Sequence, residues 1–145
     1  MRRELPDGFE LDDDPARLDP DAIWAFLSTE AYWGRDRSRD VVERQVAEAS
    51  RVIGLYRGGR QVGFARVLSD ERIAYLADVY VLAEHRGRGL GVELVREAVD
   101  DGPQRDLRWL LHTRDAHGLY EKFGFGPPSE RLLERPGRRP GSAEP

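Results

Sequence analysis

Residues 86–91 read R-G-R-G-L-G and open directly onto an amphipathic run. Glycines at that density beside two arginines suit the holding of phosphate. They let the backbone curl around phosphate oxygens without Cβ obstruction, and a helix start adds unpaired N–H groups and a partial positive charge. Arg86 and Arg88 add full charges at the same place. Two rival phosphate loops fail on residue identity. A dinucleotide fingerprint starting at Gly87 would need glycine where Val92 stands, and it normally follows a first strand. A nucleoside triphosphate loop would end in Gly-Lys-Ser/Thr, and the only lysine, Lys122, lies far downstream.

Elements that place such a turn are legible on both sides of it. Residues 73–82, I-A-Y-L-A-D-V-Y-V-L, are nearly apolar on both faces and predict a central, doubly covered strand whose only charge is Asp78. Residues 89–99 alternate Leu90, Leu94, Val95 and Ala98 with Glu93, Arg96, Glu97 and Asp100, the pattern of an amphipathic helix. Upstream, residues 9–14 predict a first strand, Pro20 starts a helix through Ile23, Phe26 and Leu27, and Ser38 caps a second helix through Val42 and Val46. Strands at 51–56 and 61–68 flank a Gly58-Gly59 hairpin turn. Downstream come a strand at 107–113, a helix at 116–123 capped by Asp115 and ended by Gly124, and a last strand at 131–135. The tail from Pro136, rich in proline and glycine, predicts disorder over 136–145. The order describes a mixed α/β layer around one sheet.

Composition narrows the chemistry. The 145 residues predict one domain, over 1–135, with 39% hydrophobic and 34% charged residues typical of a soluble protein. The absence of cysteine excludes disulfides, thiolate metal sites and a cysteine nucleophile. A net charge of -4 and a pI near 5.5 supply no basic field for nucleic acid. No membrane span or signal peptide is legible, so the expected compartment is the cytoplasm.

The pattern Arg86-x-x-Gly89-x-Gly91 after an apolar strand, followed by L-Y-E-K-F-G-F at 119–125, resembles the GNAT superfamily of acyl-CoA-dependent N-acyltransferases in element order over roughly the whole chain. The resemblance implies a mostly antiparallel sheet of six to seven strands flanked by about four helices. It implies transfer of an acyl group, acetyl above all, from coenzyme A to a primary amine by direct attack. It further implies that backbone N–H groups of Arg86, Gly87, Arg88, Gly89, Leu90, Gly91 and Val92 hold the diphosphate of acetyl-CoA. Val79, Tyr80 and Val81 would pair with the pantetheine arm as an added strand, and the Val79 N–H would face the developing oxyanion. Tyr120 matches the tyrosine that in many such enzymes protonates the departing thiolate. Thr113 stands where the family often has asparagine, and the central strand offers no glutamate or histidine as base.

Acceptor residues are expected around this frame. Asp78 is a candidate proton relay or cation-binding group whose pKa burial would raise, the plainer reading being an aspartate bonded to neighbouring backbone. Tyr32, Trp33 and Arg35 fall in the segment that resembles the acceptor-lining loop, with the aromatics as walls and Arg35 as a carboxylate clamp. Arg66 and Arg114 are further candidates for acidic groups. His117 shares the helix face of Tyr120, and either it or His112 is a candidate base; their spacing suits no metal site. The partner is a small-molecule amine or a protein amine, and a homodimer is compatible with the resemblance. A non-catalytic acyl-CoA-binding regulatory domain and a protein acetyltransferase are the alternative functions.

Overall fold

The computed structural model describes residues 1–32 and 36–138. Among these, six strands form one sheet in the order β1-β2-β3-β4-β5-β6: β1 Arg2–Glu4, β2 Phe9–Asp12, β3 Arg51–Arg57, β4 Arg60–Ser69, β5 Ile73–Val81 and β6 Arg108–Leu110. Neighbours are antiparallel except β5 and β6, which run parallel across the crossover helix α3, Leu90–Val99. The remaining helices are α1 Pro20–Thr29, α2 Arg39–Ala47 and α4 His117–Glu121. Among the described residues no helix is long and apolar enough to cross a membrane.

Strand periodicity divides the core between the two faces of the sheet. Ile53, Leu55, Ala65 and Val67 turn toward Leu94, Val95 and Ala98 of α3, whereas Val52, Phe64 and Tyr80 turn toward Ile23, Phe26, Leu27 and Val42 of α1 and α2. Side chains one residue apart point to opposite faces, so Val52 and Ile53 join different clusters. Local chemistry sets the ends. Asp19 accepts from the N–H groups of Asp21 and Ala22 ahead of Pro20, and Ser38 Oγ accepts from Val41 N at 3.3 Å. Gly58 and Gly59 take φ of 57° and 80° in the hairpin turn, a conformation costly for other residues.

The structure departs from the sequence reading at four elements. Strand β1 carries no apolar alternation. An Arg2–Glu10 ion pair reinforces its ladder with β2 and an Arg3–Glu93 pair ties it to α3, so charges occupy both of its faces. No strand forms at 131–135: among the described residues the segment pairs with no strand, its residues are exposed, and Leu133 is 92% exposed. Asp115 does not cap α4; the Ala116 N–H donates to Thr113 Oγ1 instead, at 3.1 Å. Glu97, on the polar stripe of α3 by pattern, is buried because Arg51 donates to its carboxylate at 2.8 Å and to its carbonyl at 2.9 Å. Part of the tail, residues 139–145, lies outside the described residues.

Two irregularities in β5 prepare the site. Phe64 pairs with Tyr80 and Arg66 with Ala77, so two steps on β4 face three on β5, and the extra residue, Asp78, sits at φ 53°. Such a bulge bends the strand and re-aims its side chains. Pairing to β6 stops at Tyr75 opposite Leu110. Among the described residues the far edge of β5 is therefore open beyond Tyr75, where the sequence predicted a fully central strand.

Candidate active site

The segment expected to hold the diphosphate is built from backbone. At the end of β5, Val81 pairs with Gly63 and the Leu82 N–H donates to Val62 O at 2.8 Å, leaving the opposite edge unpaired. A short 3-10 turn over Ala83–His85 then delivers the glycine segment, which Arg86 ties to the strand by donating from Nε to Val81 O at 3.0 Å. Gly87 and Gly89 adopt φ of 80° and 76°, and Leu90 is buried in the core beneath them. The first backbone bond of α3 runs from Glu93 N to Gly89 O, so the amides of residues 87–92 donate to no described acceptor. A Cβ placed on Gly87, Gly89 or Gly91 would meet nothing within 4 Å. Unpaired donors around open space at a helix start form a cradle for an anion.

Of the strand residues assigned to the pantetheine arm, Tyr80 offers backbone only, since its ring is buried and stacked on Phe26 at 3.9 Å. Val79, at the bulge, lines a cavity of about 410 Å³ between the two edges where β5 and β6 part. That cavity also brings together Tyr32, Arg66, Asp78, Thr113 and Tyr120 from the sequence reading, and Arg37, Tyr75 and His112 with them. A larger cavity of about 770 Å³ between α2 and β3 is lined by Leu18, Ile23, Val46 and Val52 and holds none of these groups. The candidate side chains gather in the smaller one.

Tyr120 is buried, packed edge-on against Phe125 at 5.9 Å, and its phenol is pushed up to about 12, first by burial and then by Tyr32 and Asp115. Asp78 differs from its expected state. Burial pushes its carboxyl up, but hydrogen bonding from Arg37 and the charges of Arg66 and Arg37 outweigh that, so the net shift is downward. Arg37 donates from Nη1 and Nη2 at 3.0 and 2.8 Å, and Arg66 from Nε at 2.9 Å. A carboxylate held ionised by two guanidinium groups accepts a proton poorly, which corrects the raised pKa expected from the sequence.

Tyr32 Oη accepts from the Arg114 N–H at 3.1 Å, and the Arg114 guanidinium covers its ring at 4.2 Å, so Arg114 braces the wall. His117 is exposed at the start of α4 and does not line the cavity. Trp33 and Arg35 lie outside the described residues. His112 stands between Tyr75 Oη, 2.5 Å from Nδ1, and Glu134, 3.2 Å from Nε2. Sequence reasoning missed Arg37, Tyr75 and Glu134. Arg37 lies in an arginine-rich stretch where nothing singles it out, Tyr75 in an apolar strand, and Glu134 in a segment read as a strand.

The acetyltransferase (GNAT) family model matches residues 19–125. FG08082 of Gibberella zeae, named as an acetyltransferase, is 32% identical over 135 residues, 77% of this chain and 76% of that protein. Among solved structures, the Xanthomonas campestris GNAT-family protein xcc2953 is 39% identical with a TM-score of 0.83, covering 92% of this chain and 94% of that one. A Clostridium acetobutylicum protein solved with acetyl-CoA shares the fold at 13% identity and a TM-score of 0.63, over 93% and 96% of the two chains. The parting of β5 from β6 and the glycine turn beside it both fall within the matched residues, and the chain belongs to the acetyltransferase (GNAT) family.

Proposed function

We propose that the protein transfers acetyl from acetyl-CoA to the primary amine of a small molecule, by direct attack within a ternary complex. The observation that carries this reading is the continuity of the open β5 edge with the unpaired amides of residues 87–92. An extended arm can add to the former as a strand while a diphosphate takes the latter, and Arg86 and Arg88 stand beside the amides. The open space over Gly87, Gly89 and Gly91 fits a group of that kind. A cavity of about 410 Å³ favours a small acceptor over a protein chain, which would call for a groove.

Acetyl-CoA supplies the thioester carbonyl. The Val79 N–H, at the bulge, is the donor for the oxyanion, and direct attack needs no covalent enzyme intermediate. Tyr120 assists the departing sulfur. A phenol held at about 12 keeps its proton more firmly than a thiol of ordinary pKa, roughly 8.5, so its help is a hydrogen bond that strengthens as charge builds on sulfur. The thiolate takes its proton from the attacking nitrogen, which loses a second proton as the tetrahedral intermediate collapses to amide.

Removal of the first amine proton falls to Tyr75 and His112. Glu134 accepts from His112 Nε2–H, which leaves Nδ1 to accept from Tyr75 Oη–H. Tyr75 can then take a proton from the acceptor through water while passing its own to His112, whose ring is 40% exposed and returns it to solvent. Asp78 serves as the positioning residue for Arg37 and Arg66.

Free-thiol release from acetyl-CoA across a panel of amines tests the reading. Turnover with small amines is expected. Tight acetyl-CoA binding without turnover on any amine would favour a regulatory domain, and turnover confined to peptides a protein acetyltransferase.

A further inference from the structure

Arg66 enters the smaller cavity from β4 with its side chain only 7% exposed, anchored by one hydrogen bond from Nε to Asp78 at 2.9 Å. Its Nη1 and Nη2 donate to no described residue. Arg37, beside it, uses both Nη groups on Asp78 and Nη1 also on Gln45 at 2.7 Å, while its Nε is buried without a partner. Two guanidinium cations thus share the Asp78 carboxylate at the cavity floor. A buried cation with idle donors is costly unless an anion completes it.

The rim carries the opposite sign. Asp36 and Asp115 line the cavity and are exposed, and Asp115 precedes the helix that bears Tyr120. Positive floor and negative rim together match a molecule that is itself dipolar. We infer that the acceptor amine carries its own anionic group, a carboxylate or a phosphate, which takes the free Nη donors of Arg66 while the ammonium sits toward the carboxylates of the rim. A guanidinium fork meets either anion with two parallel hydrogen bonds. Arg66 is pre-aimed for that contact because Asp78 fixes its Nε, and the bulge at Asp78 ties this anion site to the neighbouring oxyanion donor, Val79. This assignment rests on the amine-transfer reading above.

Matched acceptor pairs test it: α-amino acids against their amides, and phosphoethanolamine against ethanolamine, each followed by thiol release from acetyl-CoA. The anionic member of at least one pair is expected to show a kcat/KM about tenfold or more above its neutral partner, and the pair that does so tells carboxylate from phosphate. In Arg66→Gln that ratio should collapse toward one. Equal or higher turnover of both neutral members by the native protein would overturn the anion site and leave amine transfer standing. Should Arg66→Gln not fold, the ratio in the native protein decides alone. Tight acetyl-CoA binding with no turnover of any amine would instead remove the reaction on which the assignment depends.

Discussion

The two sides of the cleft are made of different materials. On the side proposed to hold the donor, residues 87–92 present amides whose direction is set by two left-handed glycines and by the start of α3, and charge there is an addition. The Arg86 N–H, counted with them in the sequence reading, is taken by Ala83 O at 3.2 Å. On the acceptor side the active groups are side chains gathered from far apart: Arg37 and Asp78 are 41 residues distant, Tyr75 and His112 37, His112 and Glu134 22. Backbone cradles depend on local conformation and accept any ligand with the right phosphate. Assembled charge clusters depend on the whole fold and can differ from one relative to the next.

That contrast breaks most visibly at Asp78. Asp78→Asn leaves buried Arg66 and half-buried Arg37 without their shared carboxylate, and a loss of about 3–5 kcal/mol in denaturant unfolding is expected. A loss under about 0.5 kcal/mol would mean that the cluster is not a structural unit. The pH dependence carries a sign. The folded-state pKa of Asp78 lies below its ordinary value of 3.8, so its stabilising contribution is full above that value and is lost as pH falls through the folded one. The gap between native protein and variant should therefore narrow below about pH 4.

Tyr120→Phe comes next and probes the boundary between the sides. Removing the hydrogen bond to sulfur should lower kcat by about a hundredfold and leave acetyl-CoA affinity within about twofold. Native turnover in this variant would take Tyr120 out of the reaction. On the donor side, Gly89→Ala places a side chain at φ 76°, where an L residue pays about 1–2 kcal/mol, so the turn should relax and acetyl-CoA affinity fall by about tenfold. Calorimetric titration giving an unchanged affinity would show that the amides of this turn do not hold the ligand.

The same contrast explains what could be read from the chain. The turn, its preceding strand and α3 are contiguous, and their signals are glycine spacing and a 3.6-residue stripe, so these elements and their order were legible in the sequence, while the open edge of β5 was not. Tyr120, read from its own short motif, lies buried at the cavity. The bulge at Asp78 was not legible, because an extra residue in a strand leaves no mark in a run of apolar side chains, and without it neither the aim of Asp78 nor its two arginines can be placed. Strand β1 escaped because ion pairs replace the alternation that marks a strand, and the absence of a last strand at 131–135 depends on whether a neighbour offers an edge.

The smallest effect expected concerns the relay, and it discriminates by coupling rather than by size. Glu134 is 53% exposed and its carboxylate pairs with His112, so Glu134→Gln should lower kcat only several-fold, about 1 kcal/mol in barrier. His112→Asn should lower it more, since Tyr75 then loses the imidazole that receives its proton. If Glu134 acts through His112, the double variant should be no slower than His112→Asn, because a carboxylate that orients an imidazole has nothing left to orient. Two effects that simply multiply would separate Glu134 from His112 and leave Tyr75 to pass its proton elsewhere. The acceptor side would then act as separate groups rather than as one coupled relay.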